Sequence, residues 1–253
     1  MKRFLKFASK SINSILGVVG VKLVRKNAYF SDYRAYISLN ATISGARKAG
    51  LSVGEYIDVK HNKAGSTQQT IDQMDSLGVF KNKIERVCEI GPGSGRYLEK
   101  ILQISSPNYY EIYETSTEWQ KWLVKKYGVV AKPTDGRSLA STPTCSIDLV
   151  HAHKVFPGQP SLVILHYIKE MSRVIKLGGK IVFDIVTEDC MDEVTLETWL
   201  KTYSGYQHYP CLMAKQFAVD FLCKQGFSVD GSFLITMKPG LTQYLVFTKQ
   251  SPC

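Results

Sequence analysis

Apolar residues recur along this chain in two rhythms, and the switch between them falls near Ile84. Upstream the spacing is helical. Residues 29–48 form one helical stretch, and Ser52 or a neighbouring polar residue opens a shorter one that ends at the turn Asn62-Lys63-Ala64-Gly65. Ser66 or Thr67 caps a third helix running through Met74, which Gly78 stops. Downstream, short apolar runs alternate with amphipathic helical stretches. Residues 86–90, 109–113, 129–131, 147–152 and 180–186 read as strands, with helices over 97–104, 118–127 and 161–175 between them. Such alternation means βαβ units, hence a parallel sheet covered on both faces. A helix over 212–224 and strands over 227–237 and 243–249 follow. The tight turn Lys238-Pro239-Gly240 joins those two strands, so they must run antiparallel. The prediction is an α/β, doubly wound sheet closed by an antiparallel hairpin. Its regions are a basic segment 1–26, a helical preface 27–83 and a sheet-bearing domain 84–253.

At 253 residues the chain suffices for one such domain with an extension, and not for two full domains. No stretch is repeated or of low complexity, which removes solenoid architectures. The net charge of +10 raises the question of a polyanionic partner, and its distribution answers it. Lys2, Arg3, Lys6, Lys10, Lys22, Arg25 and Lys26 all precede the first acidic residue, Asp32. The remainder holds 25 of the 32 basic residues against all 22 acidic ones. A phosphate-binding track needs clustered Lys and Arg on the folded domain, so no nucleic-acid partner is expected. The six cysteines, at 88, 145, 190, 211, 223 and 253, form no Cys-x-x-Cys pair and no metal-ligand spacing. Free thiols in a reducing cytosol are the expectation.

The first 26 residues mix those seven cations with Phe4, Leu5, Phe7, Ile12, Ile15, Leu16 and several valines. The uncharged run 11–21 is too short to span a bilayer, which takes about 20 residues. A signal peptide is disfavoured, because Lys22, Arg25 and Lys26 follow the apolar run with no small-residue cleavage site. Two readings stand: a basic amphipathic helix lying on anionic lipid at the cytoplasmic face, or a solvated helix packed on its own domain.

The chemistry concentrates after the first strand, in Glu89-Ile90-Gly91-Pro92-Gly93-Ser94-Gly95. Glycines let the backbone turn sharply into a helix and let a ligand approach without a Cβ in the way. The spacing lacks the third glycine of the dinucleotide fingerprint, and Glu89 suits an ammonium rather than a phosphate. Glu114 closes the second strand, where an acid would accept hydrogen bonds from ribose hydroxyls. Asp135-Gly136 follows the third strand at the place for an adenine edge, and Leu177-Gly178-Gly179 precedes the fifth. Each feature alone has a bland account as a turn or a solvated acid; their order and spacing together are more specific.

Residues 84–249 resemble the class I S-adenosylmethionine-dependent methyltransferase family. Glu89, Gly91, Gly93 and Gly95 match its first motif, Glu114 its ribose-side acid, and Asp135 with Gly136 its adenine side. Arg173-Val174-Ile175-Lys176-Leu177-Gly178-Gly179 matches the motif before its fifth strand, with Leu177 where many members carry Pro. The resemblance implies a Rossmann-like, seven-stranded sheet whose last strand is antiparallel, with S-adenosyl-L-methionine as cofactor. It does not identify the acceptor.

Methyl transfer from a sulfonium is an in-line displacement, so alignment supplies much of the catalysis, and a hydroxyl acceptor also needs a base. The fourth strand ends His151-Ala152-His153-Lys154, and its two imidazoles lie on one face. His153 or His151 is the expected base, with Asp184 as a further candidate for deprotonating an acceptor. Glu188, Asp189, Asp192 and Glu193 either bind a cation or form a solvated loop that caps the next helix. No ligand spacing favours the metal. Trp199, Tyr203, Tyr206, His208 and Tyr209 suit stacking on a sugar ring or an aromatic lid. The basic start, helical preface and polar–aromatic insert are similar to methyltransferases that modify sugars of surface polysaccharides. The expected function is therefore sugar O-methylation on a glycan acceptor. A lipid or quinone methyltransferase and a non-catalytic cofactor-binding module remain as alternatives.

Overall fold

The computed structural model of the chain describes residues 37–202 and 210–251. Among the described residues three helices lead: α1 (Leu39–Ala49), α2 (Val53–His61) and α3 (Ser66–Ser76). Local chemistry sets their ends. Ser52 and Glu55 form a reciprocal capping box on α2, with hydrogen bonds of 3.2 and 2.8 Å. The cap expected from Ser66 or Thr67 on α3 is replaced by one from outside, since the N-cap residue is Gly65 and brings no side chain. Asp58 on α2 accepts from the Thr67 amide at 3.0 Å, the Thr67 hydroxyl at 2.8 Å and the Ser66 hydroxyl at 3.2 Å. A carboxylate placed there serves the free amides and the helix dipole together. The predicted helical residues before 37, and the whole of segment 1–26, lie outside the described residues.

The sheet-bearing region follows as β1 (Arg86–Ile90), α4 (Arg96–Ser105), β2 (Tyr109–Tyr113), α5 (Thr117–Tyr127), β3 (Val130–Ala131) and β4 (Ile147–Ala152). Then come α6 (Ser161–Val174), β5 (Ile175–Ile185), α7 (Glu193–Thr202), α8 (Lys215–Cys223), β6 (Phe227–Met237) and β7 (Gly240–Lys249). Among the described residues they build one seven-stranded sheet of order β3-β2-β1-β4-β5-β7-β6. Strands β1 to β5 pair in parallel, and β7 runs antiparallel to both β5 and β6. The predicted doubly wound sheet with an antiparallel hairpin is the observed one. The largest boundary difference is that α6 passes directly into β5, so Leu177-Gly178-Gly179 lies inside that strand as a turn, with Gly178 at φ 74°; β7 also begins at Gly240, and α8 at Lys215, three residues from their predicted starts.

Alternate strand residues feed two cores. Cys88, Ile90, Ile181 and Phe183 pack under α6 and α8 with Ile164, Ile168, Met171 and Leu222. Val87, Ile112, Val182 and Val246 pack under α3, α4 and α5 with Ile71, Met74, Leu98, Ile101 and Leu123. This is why the parallel strands read as apolar on both faces. Strand order reverses between β1 and β4, and the carboxyl ends there are where open α/β sheets bind ligands. Cys88, Cys190, Cys211 and Cys223 are free thiols. Cys145 is disulfide-bonded, which corrects the expectation of thiols throughout.

Candidate active site

The glycine turn leaves β1 in left-handed conformation three times, at Gly91 (φ 61°), Gly93 (φ 51°) and Gly95 (φ 71°). The reasons differ. A Cβ on Gly91 would lie 2.6 Å from Val155 Cγ2, so the loop after β4 sits directly on this residue. A Cβ on Gly93 would meet nothing within 4 Å, which leaves an open backbone face at the centre of the turn.

Glu114, at the tip of β2, ties that turn to the neighbouring strand. One carboxylate oxygen accepts from the Gly93 amide at 2.9 Å and the other from the Ser116 amide at 2.7 Å. Burial raises its pKa, against the pull of those amides. Glu89 is 1% exposed. Burial pushes its carboxyl up to about 8, opposed by the Tyr110 hydroxyl, which donates to it at 2.7 Å. The Tyr110 oxygen also lies 2.9 Å from His151 Nε2. A Cβ on Gly136 would lie 3.6 Å from Thr115 Cγ2, so the loop after β3 flanks the tip of β2. Asp135 in that loop is exposed and engaged locally. Its carboxylate accepts from the Arg137 amide at 2.9 Å and the Ser138 amide at 2.8 Å. Burial opposes these bonds, which nevertheless hold its pKa low.

A polar seam continues across the same sheet face. His151 and His153 lie with ring centroids 4.9 Å apart, the shared face that their spacing predicts. His153 stacks on Tyr97 at 3.9 Å, and its Nδ1 lies 3.3 Å from the Tyr244 hydroxyl. Burial drives the His151 pKa down to about 3 and that of His153 well below its usual value. Both imidazoles are therefore neutral and weakly basic rather than poised near neutral pH. Their outer nitrogens, His151 Nδ1 and His153 Nε2, are buried without a hydrogen-bond partner. Asp184, on β5, has no exposed surface. It accepts from the Lys154 amide at 2.6 Å and the Thr242 hydroxyl at 2.9 Å, and burial raises its pKa.

Three of the four acidic residues beyond β5 have local partners, and the fourth, Glu193, is exposed in the first turn of α7. Glu188 accepts from the Lys215 amide at 3.0 Å, Asp189 from Gln243 at 3.1 Å, and Asp192 caps α7 through the Thr195 amide at 2.7 Å. Among the described residues no group of His, Cys, Asp and Glu is arranged to hold a metal ion. Trp199 lies on α7, whereas Tyr203, Tyr206, His208 and Tyr209 fall outside the described residues.

Several solved structures share this architecture. The N-methyltransferase NodS from Bradyrhizobium japonicum WM9, in complex with S-adenosyl-L-homocysteine, aligns at TM-score 0.56 and 12% identity, over 84% of this chain and 100% of that one. An O-methyltransferase family protein from Burkholderia thailandensis aligns at TM-score 0.56 and 14% identity, over 79% of this chain and 60% of that one. The [4+2]-cyclase SpnF aligns at TM-score 0.59 and 14% identity, over 88% and 94%. The fold is the Rossmann-like methyltransferase fold. No protein-family signature matches the sequence, and no curated protein matches it. Identity this low speaks for architecture, and chemistry has to be argued from residues.

Those residues fit the cofactor of that fold. The open face of Gly93 gives an adenosyl ligand backbone approach. Glu114, its carboxylate fixed by backbone amides at the tip of β2, is placed to accept from a ribose hydroxyl. Glu89, with a tyrosine and a neutral imidazole around it and no cation in contact, is suited to an incoming ammonium.

The sequence reading passed over three participants. Tyr110 and Tyr97 look like core aromatics in sequence, and only pairing across strands shows their polar ends reaching Glu89 and Tyr244. Lys154 was legible as the residue after His153, but nothing in sequence signals its left-handed backbone (φ 59°) or its burial.

Proposed function

We propose that the protein is an S-adenosylmethionine-dependent methyltransferase acting on a hydroxyl acceptor, with a sugar hydroxyl of a glycan as the substrate class. One observation carries the cofactor assignment: a glycine turn at the switch point, open over Gly93 and held by Glu114, with a buried carboxylate, Glu89, immediately before it. Gly91, Gly93 and Gly95 would cradle the ligand, Glu89 its amine, Glu114 its ribose, and Asp135 with Gly136 its adenine side. When bound, the cofactor supplies an electrophilic methyl group. The chain's own residues align the acceptor, exclude water from the seam and take up a proton. Isothermal titration with S-adenosylhomocysteine tests the reading, and absence of binding removes it.

Support for the glycan is the sequence-level similarity to polysaccharide-modifying enzymes together with the need of a hydroxyl for a base. Methyl transfer to a purified glycan pool, compared with a lipid extract, separates the sugar reading from a lipid or quinone acceptor. A protein that binds the cofactor and methylates neither fits the non-catalytic reading, and the fold similarity to a cyclase shows the architecture is not tied to one chemistry. We place the protein in the cytoplasm, with residues 1–26 attaching it to anionic membrane. Among the described residues, no helix is long and apolar enough to cross a membrane. Deletion of 1–26 should abolish flotation with anionic liposomes, and undiminished flotation refutes the attachment.

A further inference from the structure

The low basicity of the buried imidazoles leaves open which group accepts the hydroxyl proton. We propose that Lys154 is that proton acceptor, held in place by Asp184, at the lip where β1, β4 and β5 end. The proposal rests on the methyltransferase reading above.

Position comes first. Lys154 directly follows His153, and the next residue, Val155, is the one pressed against Gly91, so Lys154 stands beside the glycine turn. Its backbone is left-handed at φ 59°, a conformation that a non-glycine residue keeps only when its surroundings enforce it. The enforcing contact is visible: the Lys154 amide donates to Asp184 Oδ1 at 2.6 Å. A charged side chain is thereby directed inward. Nζ is buried, lies 3.7 Å from Asp184 Oδ2 and sits 5.3 Å from the centroid of the Tyr244 ring.

The surroundings set its basicity. Burial lowers the Lys154 pKa to about 8. Asp184 on β5 opposes that shift and Arg96 on α4 adds to it. Cys190 beyond β5, Tyr244 on β7 and His153 on β4 are the other titratable groups facing it. A usable fraction of free amine therefore exists near neutral pH, unlike at an ordinary lysine. The bound cofactor would supply the methyl group to the acceptor oxygen and leave with the carbon–sulfur electron pair, and Lys154 would take the hydroxyl proton onto its Nζ lone pair. The resulting ammonium, paired with Asp184, then returns the proton to water.

Lys154→Arg in the full-length chain separates this role from an ion pair, because guanidinium keeps the charge yet does not surrender a proton. Titration with S-adenosylhomocysteine should give the same affinity for both proteins. Formation of S-adenosylhomocysteine from S-adenosylmethionine with the glycan pool should fall at least 100-fold in the variant. In the wild type that rate should rise with pH through about 8. In protein carrying 13C-labelled lysine, the Lys154 side-chain resonance, assigned by its absence from Lys154→Arg, should titrate with a midpoint near 8, well below the surface lysines. A midpoint above 10, or an arginine variant retaining a tenth of the rate, overturns the proposal. A wild-type chain that binds no S-adenosylhomocysteine overturns the cofactor reading and this one with it. Binding without turnover on the glycan pool overturns only the hydroxyl-acceptor premise and the role of Lys154.

Discussion

Glu89 should weaken the protein that it equips. Its carboxyl titrates at about 8 in the folded chain against 4.5 in the free side chain, because burial disfavours the charge by more than the Tyr110 hydroxyl and the Arg96 cation favour it. Between those values the folded state holds a proton that the unfolded state releases, so stability falls as pH rises. The contribution is complete below 4.5 and lost above about 8. At roughly 1.4 kcal/mol per pH unit, the full span amounts to about 4–5 kcal/mol, of which some 3 kcal/mol is already lost at pH 7. Glu89→Gln keeps an acceptor for the Tyr110 hydroxyl and removes the titration. The variant and wild type should therefore be nearly equal in urea unfolding at pH 5, and the variant more stable by several kcal/mol at pH 8. The other groups facing Glu89, namely Tyr110, His151, Glu114 and Arg96, are common to both proteins and cancel in the difference. Above about pH 8, where the wild-type carboxylate is formed, the variant should bind S-adenosylhomocysteine at least tenfold more weakly, since a charged hydrogen bond to the amine is gone. A stability difference that does not change between pH 5 and 8 refutes the account of the buried carboxyl.

Gly93→Ala should destabilise by only about 1–2 kcal/mol, from its positive φ, while lowering S-adenosylhomocysteine affinity at least tenfold; unchanged affinity in calorimetry refutes the assigned approach face. Asp58→Ala should destabilise by about 3–5 kcal/mol in urea, because it strips the cap from α3 and leaves Arg96 buried without its carboxylate. Adding Arg96→Met should recover much of that loss, and strict additivity of the two changes argues against the coupling. His153→Phe preserves the stack on Tyr97 and removes the unpartnered Nε2 but gives up the Nδ1 contact to the Tyr244 hydroxyl, so unfolding should shift by no more than about 1–2 kcal/mol. Turnover falling 100-fold in that variant would assign the base to His153.

Order and periodicity along the chain determined much of this protein. The alternation of short apolar runs with amphipathic stretches requires a parallel sheet wrapped on both faces, and the Lys238-Pro239-Gly240 turn requires that its last two strands oppose each other. Gly91, Gly93 and Gly95 were legible because a strand that turns at once into a helix needs left-handed residues there. What the pattern could not disclose depends on residues distant in sequence. Asp58 caps a helix nine residues on and pairs with Arg96, and no local preference announces either. The imidazoles looked like bases because an isolated histidine titrates near neutral pH, and only the folded sheet removes the water that makes this so. Lys154 gained its lowered pKa the same way, by being enclosed between strands that are adjacent in space and 30 residues apart in the chain. Sequence fixes which groups are present; the dielectric and the partners around each buried group exist only after tertiary packing.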